Sequence, residues 1–267
     1  MKRLILAGLL ATGTLHAAQA DDALKAAIAS KERTPANVAR DPARHPYETL
    51  TFFGIRPDMT VVELVPGGGW YTEILAPYLR DKGKLIAAGQ SPSSPDAGAR
   101  RYAESFTKKL ASNPAMFGKV LRGVFEPPRA YDIAPANSVD MVLTFRNLHN
   151  WMDEGDEGLK KTLAEIYKVV KPGGVLGIED HRLPASRKAG STGGYVHQDY
   201  VIKMAESVGF KFAGSSEVNA NPKDTADYAK GVWALPPTFA NKDVDREKYQ
   251  AIGESDRMTL KFVKPKS

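Results

Sequence analysis

The 267-residue chain contains no cysteine, which excludes a disulfide framework, a thiolate zinc site, a cysteine nucleophile and an acylated N-terminal cysteine. Past its first twenty residues no apolar run reaches the roughly 18–20 residues that a spanning helix needs, so no membrane span is expected. Clustered charge is missing too. The 37 basic and 31 acidic residues are interspersed, with basic pairs such as Arg100-Arg101 and Lys160-Lys161 set among acids, and no stripe for a nucleic acid is expected. Hydrophobic residues at 42% and charged ones at 25% exclude disordered, collagenous and coiled-coil chains.

What is present begins with a targeting pattern. Lys2-Arg3, an apolar stretch from Leu4 to Leu15, and Ala18-Gln19-Ala20 read as a signal peptide over residues 1–20, with cleavage expected after Ala20 and a periplasmic or secreted destination. Loss of Lys2 and Arg3 takes the net charge from +6 to +4. Residues 21–267 then read as a single domain.

Its first part, residues 21–58, is a Pro-punctuated helical arm in which Arg40, Asp41 and Arg44 read as a surface ion-pair cluster. From Thr60 the pattern alternates. β-Branched runs at Thr60 to Val65, Gly83 to Ala88, Lys119 to Phe125, Ser138 to Phe145 and Val175 to Glu179 are separated by amphipathic stretches, and Lys171-Pro172-Gly173-Gly174 punctuates the last two. Such alternation predicts an α/β fold with a parallel sheet covered by helices on both faces. A further helix is predicted from His197 to Val208, followed by strands near Phe210 and from Met258. Residues 219–254, between those strands, are longer than an ordinary connection and read as a lid or packing arm.

The first strand runs into Pro66-Gly67-Gly68-Gly69. In open parallel sheets ligands bind beyond the carboxyl ends of the strands, where a glycine turn lets backbone approach them. The dinucleotide pattern fails, because counting from Gly67 puts Thr72 where its last glycine belongs, and no phosphate-binding lysine follows.

The run Pro66 to Leu79, together with Phe52-Phe53-Gly54-Ile55, Leu143 to Trp151, Lys171 to Gly174, Asp180-His181-Arg182 and Ser255-Asp256-Arg257, resembles class I S-adenosylmethionine-dependent methyltransferases, in particular an exported bacterial branch of them. The resemblance implies a Rossmann-like seven-stranded sheet in the order 3-2-1-4-5-7-6 with the last strand antiparallel. It also implies S-adenosylmethionine as cofactor and a small-molecule methyl acceptor. Carried over by position, Glu63 closes the first strand, and Gly67, Gly68 and Gly69 bring backbone against the donor. Glu126 takes the polar place near the adenine, and Arg146 sits in the loop over the methyl donor. Two departures stand out. Val65 occupies a usual glycine, and Gly89-Gln90 stands where an acid normally accepts the ribose hydroxyls, which leaves Gln90 as a neutral substitute.

Past the fourth strand, His149 is the candidate general base, because imidazole titrates near neutrality; the structural alternative packs it on Trp151. Asp180 and His181, after the fifth strand on the same sheet edge, complete the candidate catalytic group, with Asp180 placed to orient a histidine, to hold a charged substrate, or simply to anchor the loop. Asn147, Asn150, Asp153 and Asp180 fall one acid short of a magnesium set, so no metal is expected. The rival to an enzyme is a noncatalytic ligand-binding module with a degenerate methyltransferase fold.

Overall fold

Parallel neighbours need crossover helices, and the chain supplies them in order. A computed structural model describes residues 21–188 and 193–266; the segment read as a signal peptide lies outside the described residues. The arm comprises α1 (Asp22–Ile28), capped by the Asp21 carboxylate accepting from the Leu24 N–H, then α2 (Pro35–Val38), α3 (Asp41–Arg44) and α4 (Pro46–Phe53). The sheet begins with β1 (Thr60–Leu64), followed by α5 (Thr72–Leu79), β2 (Lys84–Gly89), α6 (Ala97–Ser112), α7 (Pro114–Phe117), β3 (Leu121–Val124) and β4 (Val139–Phe145). A 3-10 helix (Leu148–Glu154) leads into α8 (Gly155–Val169) and β5 (Val170–His181). Then come α9 (Gln198–Ser207), β6 (Lys211–Ser216), a short 3-10 turn (Gly231–Ala234), α10 (Arg246–Ile252) and β7 (Arg257–Val263).

The seven strands lie in the order β3-β2-β1-β4-β5-β7-β6, with β7 antiparallel to both its neighbours. This is the predicted sheet. Period-two alternation divides the strand residues between two cores. Val61, Met141 and Leu143 pack with Leu50, Phe53, Ile74 and Leu75 on one face, while Val62, Leu64, Val142 and Ile178 pack with Leu159, Leu163, Ile166 and Val201 on the other. Strands buried on both faces read as continuous apolar runs, as these do.

The first four strands shift by one or two residues at their ends, and β5 differs most from the sequence reading. β5 starts at Val170, because Lys171-Pro172-Gly173-Gly174 is absorbed as an irregularity in its pairing with β4: Val139 pairs with Val170, and Met141 next with Val175. At its far end β5 runs on to His181, held there by Arg257 of β7. The unpredicted α7 has a legible start, since Asn113 caps the Met116 N–H and Pro114 follows it.

Candidate active site

The carboxyl ends of β1, β2, β4 and β5 converge on the glycine turn. Val65, at the place where the resemblance leads to an expected glycine, takes a left-handed backbone with φ at 47°, a costly conformation for a β-branched residue. Its N–H donates to the Ala88 carbonyl at 2.7 Å, and the Asn147 amide donates to the Leu64 carbonyl at 3.2 Å and the Val65 carbonyl at 3.4 Å. Asn147 therefore fastens the turn to the end of β4.

Two cavities meet at this turn. The first, of about 520 Å³, lies over β1 to β3 and is lined by Gly67, Gly89, Gln90, Tyr102 and Glu126. The second, of about 600 Å³, lies over β4 and β5 and is lined by Arg40, Arg146, His149, His181, Trp233 and Glu254. Val65, Pro66, Gly67, Tyr102, Asn147 and Asn150 border both. Residues 219–254 act as a wall, contributing Val232, Trp233, Pro236, Pro237 and Thr238 to the second cavity.

The three glycines have different surroundings. A side chain on Gly67 would enter open space, and Gly67 has φ at 58°; Gly68 is equally open. Gly69 points elsewhere. A Cβ there would meet Phe106 and Lys109 of α6 at 3.5–3.6 Å, so its need for glycine comes from φ at 79° rather than from a ligand.

Glu126 lines the first cavity, and its carboxylate is also held by neighbouring donors. Its carboxylate accepts from the Ser91 N–H at 2.9 Å, the Ser94 hydroxyl at 2.6 Å and Arg129 Nε at 2.9 Å, bracing the loop after β2. Burial opposes its ionisation, but the bonds from Ser94, Ser91 and Arg129 hold it below the usual carboxylate range. The Gln90 amide makes no hydrogen bond to any described residue and borders the cavity.

On the other side, Asp180 is fully buried and gathers three donors: His149 Nδ1 at 2.9 Å, the His149 N–H at 3.1 Å and the His181 N–H at 2.7 Å. A carboxylate so placed assigns the Nδ1 proton to His149 and leaves its Nε2 as the acceptor. Burial lowers the His149 pKa, yet Asp180 outweighs it and holds the imidazole above the ordinary histidine value. His181 sits well below that value because of burial and the charges of His149 and Arg146, and its Nδ1 shares a 2.6 Å bond with Ser255. His149 does not pack on Trp151, which instead meets Phe125 edge-on at 5.0 Å; its ring neighbours are His181 at 5.3 Å and Trp233 at 6.2 Å.

His149, Asp180 and His181 each offer a ligand atom within 4.8 Å of the others, a spacing that a metal ion can bridge. Asp153 does not join them. Their Nδ1 atoms are engaged with Asp180 and Ser255, and the nearby Arg146 disfavours a cation.

The sign of the His149 shift is testable. A pKa raised on folding adds stability that is complete below the unfolded value near 6.5 and is lost as pH rises through the folded value. Asp180→Asn removes the opposing charge and leaves burial, so NMR titration should place His149 above 6.5 in the parent and below it in the variant. An unchanged midpoint would dissolve the Asp180–His149 dyad.

The arm also departs from expectation, because its arginines are interior. Arg44 is 1% exposed and lies over Trp70 at 4.0 Å and Tyr71 at 4.9 Å, while Arg40 pairs with Glu254 at 2.7 Å and Asp41 with Arg33 at 2.7 Å. Glu179, fully buried, lies 2.7 Å from Arg257 Nε and accepts from the Tyr71 hydroxyl at 3.2 Å. Arg146 takes a left-handed backbone, φ at 59°, fixed by its N–H donating to the Glu179 carbonyl at 2.7 Å. Burial and Arg44 lower its pKa to about 9. Glu63, whose Oε2 accepts from the Thr72 hydroxyl at 2.6 Å, is pushed up to about 8 by burial.

Residues 63–178 match the family model described as a methyltransferase domain, a span that opens on Glu63 and closes within β5. Over that span the chain is similar to methyltransferase domains. Solved methyltransferases share its architecture: a SAM-dependent methyltransferase from Aquifex aeolicus is 19% identical, with a TM-score of 0.55 over 85% of this chain and 93% of that one. An arsenic(III) S-adenosylmethionine methyltransferase from Chlamydomonas reinhardtii is 17% identical, with a TM-score of 0.51 over 91% and 73%. The [4+2]-cyclase SpnF is 13% identical, with a TM-score of 0.56 over 89% and 85%. At these identities the likeness is one of fold. Comparison with curated proteins finds no match. Among the described residues no helix is long and apolar enough to cross a membrane.

The sequence pattern does not reveal Arg44, Arg257, Glu179 and Glu254 as a group, and all four lie outside the matched span. The one available signal was Glu179-Asp180-His181, three ionisable residues ending an otherwise apolar strand.

Proposed function

We propose that the protein is an exported S-adenosylmethionine-dependent methyltransferase acting on a small molecule. The observation that carries the reading is the junction of the two cavities at the Val65-Pro66-Gly67 turn, with His149, held from behind by the buried Asp180, lining the second. The first cavity fits a nucleoside-bearing donor. Its floor is bare where Gly67 has nothing within 4 Å of a built Cβ and Gly89 only Pro66 at 3.5 Å, and Gln90 has an amide to spare. Gly67, Gly89 and Gln90 would hold that donor, which when bound supplies an electrophilic methyl group. The second cavity, at about 600 Å³, is within the range of small-molecule sites.

The chain's own residues do the rest. Asn147 fixes the turn, the 219–254 segment bounds the second cavity, and His149 Nε2 takes a proton from the acceptor while Asp180 holds the Nδ1–H. Most of the rate is then owed to proximity and orientation, with a general-base contribution of about 10²–10⁴. Export rests on the residue pattern of positions 1–20. Protein recovered from cells should begin at Asp21; recovery of an intact Met1 terminus would contradict export.

A second reading, the noncatalytic module, is favoured by the lack of a carboxylate at Gly89-Gln90. Gln90→Glu separates the two. If the cavity keeps donor geometry, calorimetry should show S-adenosylhomocysteine binding more tightly to the variant, by about 1 kcal/mol, since a carboxylate accepts hydroxyl hydrogen bonds more strongly than an amide. Weaker binding, or none to either protein while both stay folded, would favour the module.

A further inference from the structure

Four arginines, Arg40, Arg44, Arg146 and Arg257, gather where the N-terminal arm meets the ends of β4 and β7. Two carboxylates answer them. Glu254 pairs with Arg40 at 2.7 Å and with Arg257 at 3.2 Å, and Glu179 faces Arg257 at 2.7 Å without the alignment of a hydrogen bond. Glu63, the third acid at hand, is pushed up to about 8 and carries little charge at neutral pH. Positive charge is therefore in excess. The Arg146 side chain makes no hydrogen bond or ion pair to any described residue, and its buried Nε has no partner; Arg44, 1% exposed, leaves both Nε and Nη1 without one. A space of about 30 Å³ separates the two guanidinium-bearing side chains and shares Val65, Pro66, Trp70, Phe145 and Arg146 with the second cavity.

Buried charge without a counter-charge is strongly unfavourable, and a sulfonium donor in the neighbouring cavity would add to it. Resting on the methyltransferase reading, we propose that the methyl acceptor is an anion, a small molecule whose carboxylate or phosphate is held by Arg146, with Arg40 and Arg44 at its side. A planar guanidinium with unused N–H donors suits an oxyanion, which it can engage through two bonds at once. The donor's own amino-acid carboxylate is the other source of the same chemistry, and the experiment must separate them.

The full chain is titrated calorimetrically with inorganic phosphate and with benzoate, each with and without saturating S-adenosylhomocysteine. The expected result is one oxyanion per chain, retained when S-adenosylhomocysteine is present. Arg146→Gln should weaken it by about tenfold or more, and Arg146→Lys, which keeps the charge, by less; circular dichroism confirms that each variant is folded. Failure of both anions to bind at tens of millimolar would overturn the proposal, as would equal binding by the Arg146→Gln variant. Loss of the oxyanion in S-adenosylhomocysteine but not in 5′-methylthioadenosine, which has no carboxylate, would overturn it too, by assigning the arginines to the donor. If S-adenosylhomocysteine fails to bind while an Arg146-dependent oxyanion site persists, the oxyanion site stands and the methyltransferase reading falls.

Discussion

Glu179→Gln is expected to cost about 3–5 kcal/mol of stability, the range seen when one member of a buried ion pair is removed and its partner is left uncompensated. At about 2–4 °C per kcal/mol for a chain of this size, the thermal midpoint should fall by about 10 °C. The size follows from the surroundings. Glu179 is fully buried, is one of two carboxylates facing four arginines, and also receives the Tyr71 hydroxyl. Tyr71→Phe removes only that neutral donor and should cost about 1 kcal/mol. Glu157→Gln, at the exposed Lys160 pair, should leave the midpoint where it was. A fall of less than about 3 °C for Glu179→Gln would mean that the arginines are neutralised in another way, and the charge excess argued above would lose its basis.

Gly67→Val should abolish binding of S-adenosylhomocysteine, whereas Gly69→Ala should leave it within a few-fold of the parent. Both positions have left-handed backbone, so both variants carry strain of about 1–2 kcal/mol and differ mainly in where the new side chain goes. At Gly67 it enters the space between the two cavities, with nothing within 4 Å; at Gly69 it meets Phe106 and Lys109 of α6. Competition calorimetry on the two folded variants reads the difference directly. Equal loss in both would make the turn's conformation, rather than the open space above Gly67, the requirement for binding.

The sheet was legible because its strands are continuous apolar runs ending in turn residues, and alternation with amphipathic helices leaves few topologies once parallel pairing is assumed. The last strand was legible from the alternation of Met258, Leu260 and Phe262 with more polar residues, whereas the strand order and Ser255-Asp256-Arg257 as its opening came from the family resemblance. The site was legible only in part. Asp180 and His149, thirty-one residues apart, were named from their strand ends, and they meet because β4 and β5 are adjacent and in register. Gly67 and Gly69 look alike in sequence; only the backbone angles and α6 reveal which one borders the cavity. Arg44 follows two prolines and an acid, as a surface loop residue would. Its burial is set by Trp70 and Tyr71 in the turn leading into α5, a contact that local pattern does not encode. The 219–254 stretch has no strong periodicity, so its role as a cavity wall emerged only from where Trp233 and the Pro236-Pro237 pair come to rest.

The central claim is that the cavity over β1 to β3 binds the donor that the methyltransferase fold implies. Calorimetric titration of the folded protein with S-adenosylhomocysteine tests it most directly. The predicted result is saturable binding at one site per chain that is lost in Gly67→Val. Absence of any binding heat at millimolar S-adenosylhomocysteine, with the parent protein folded by circular dichroism and thermal melting, would contradict the account.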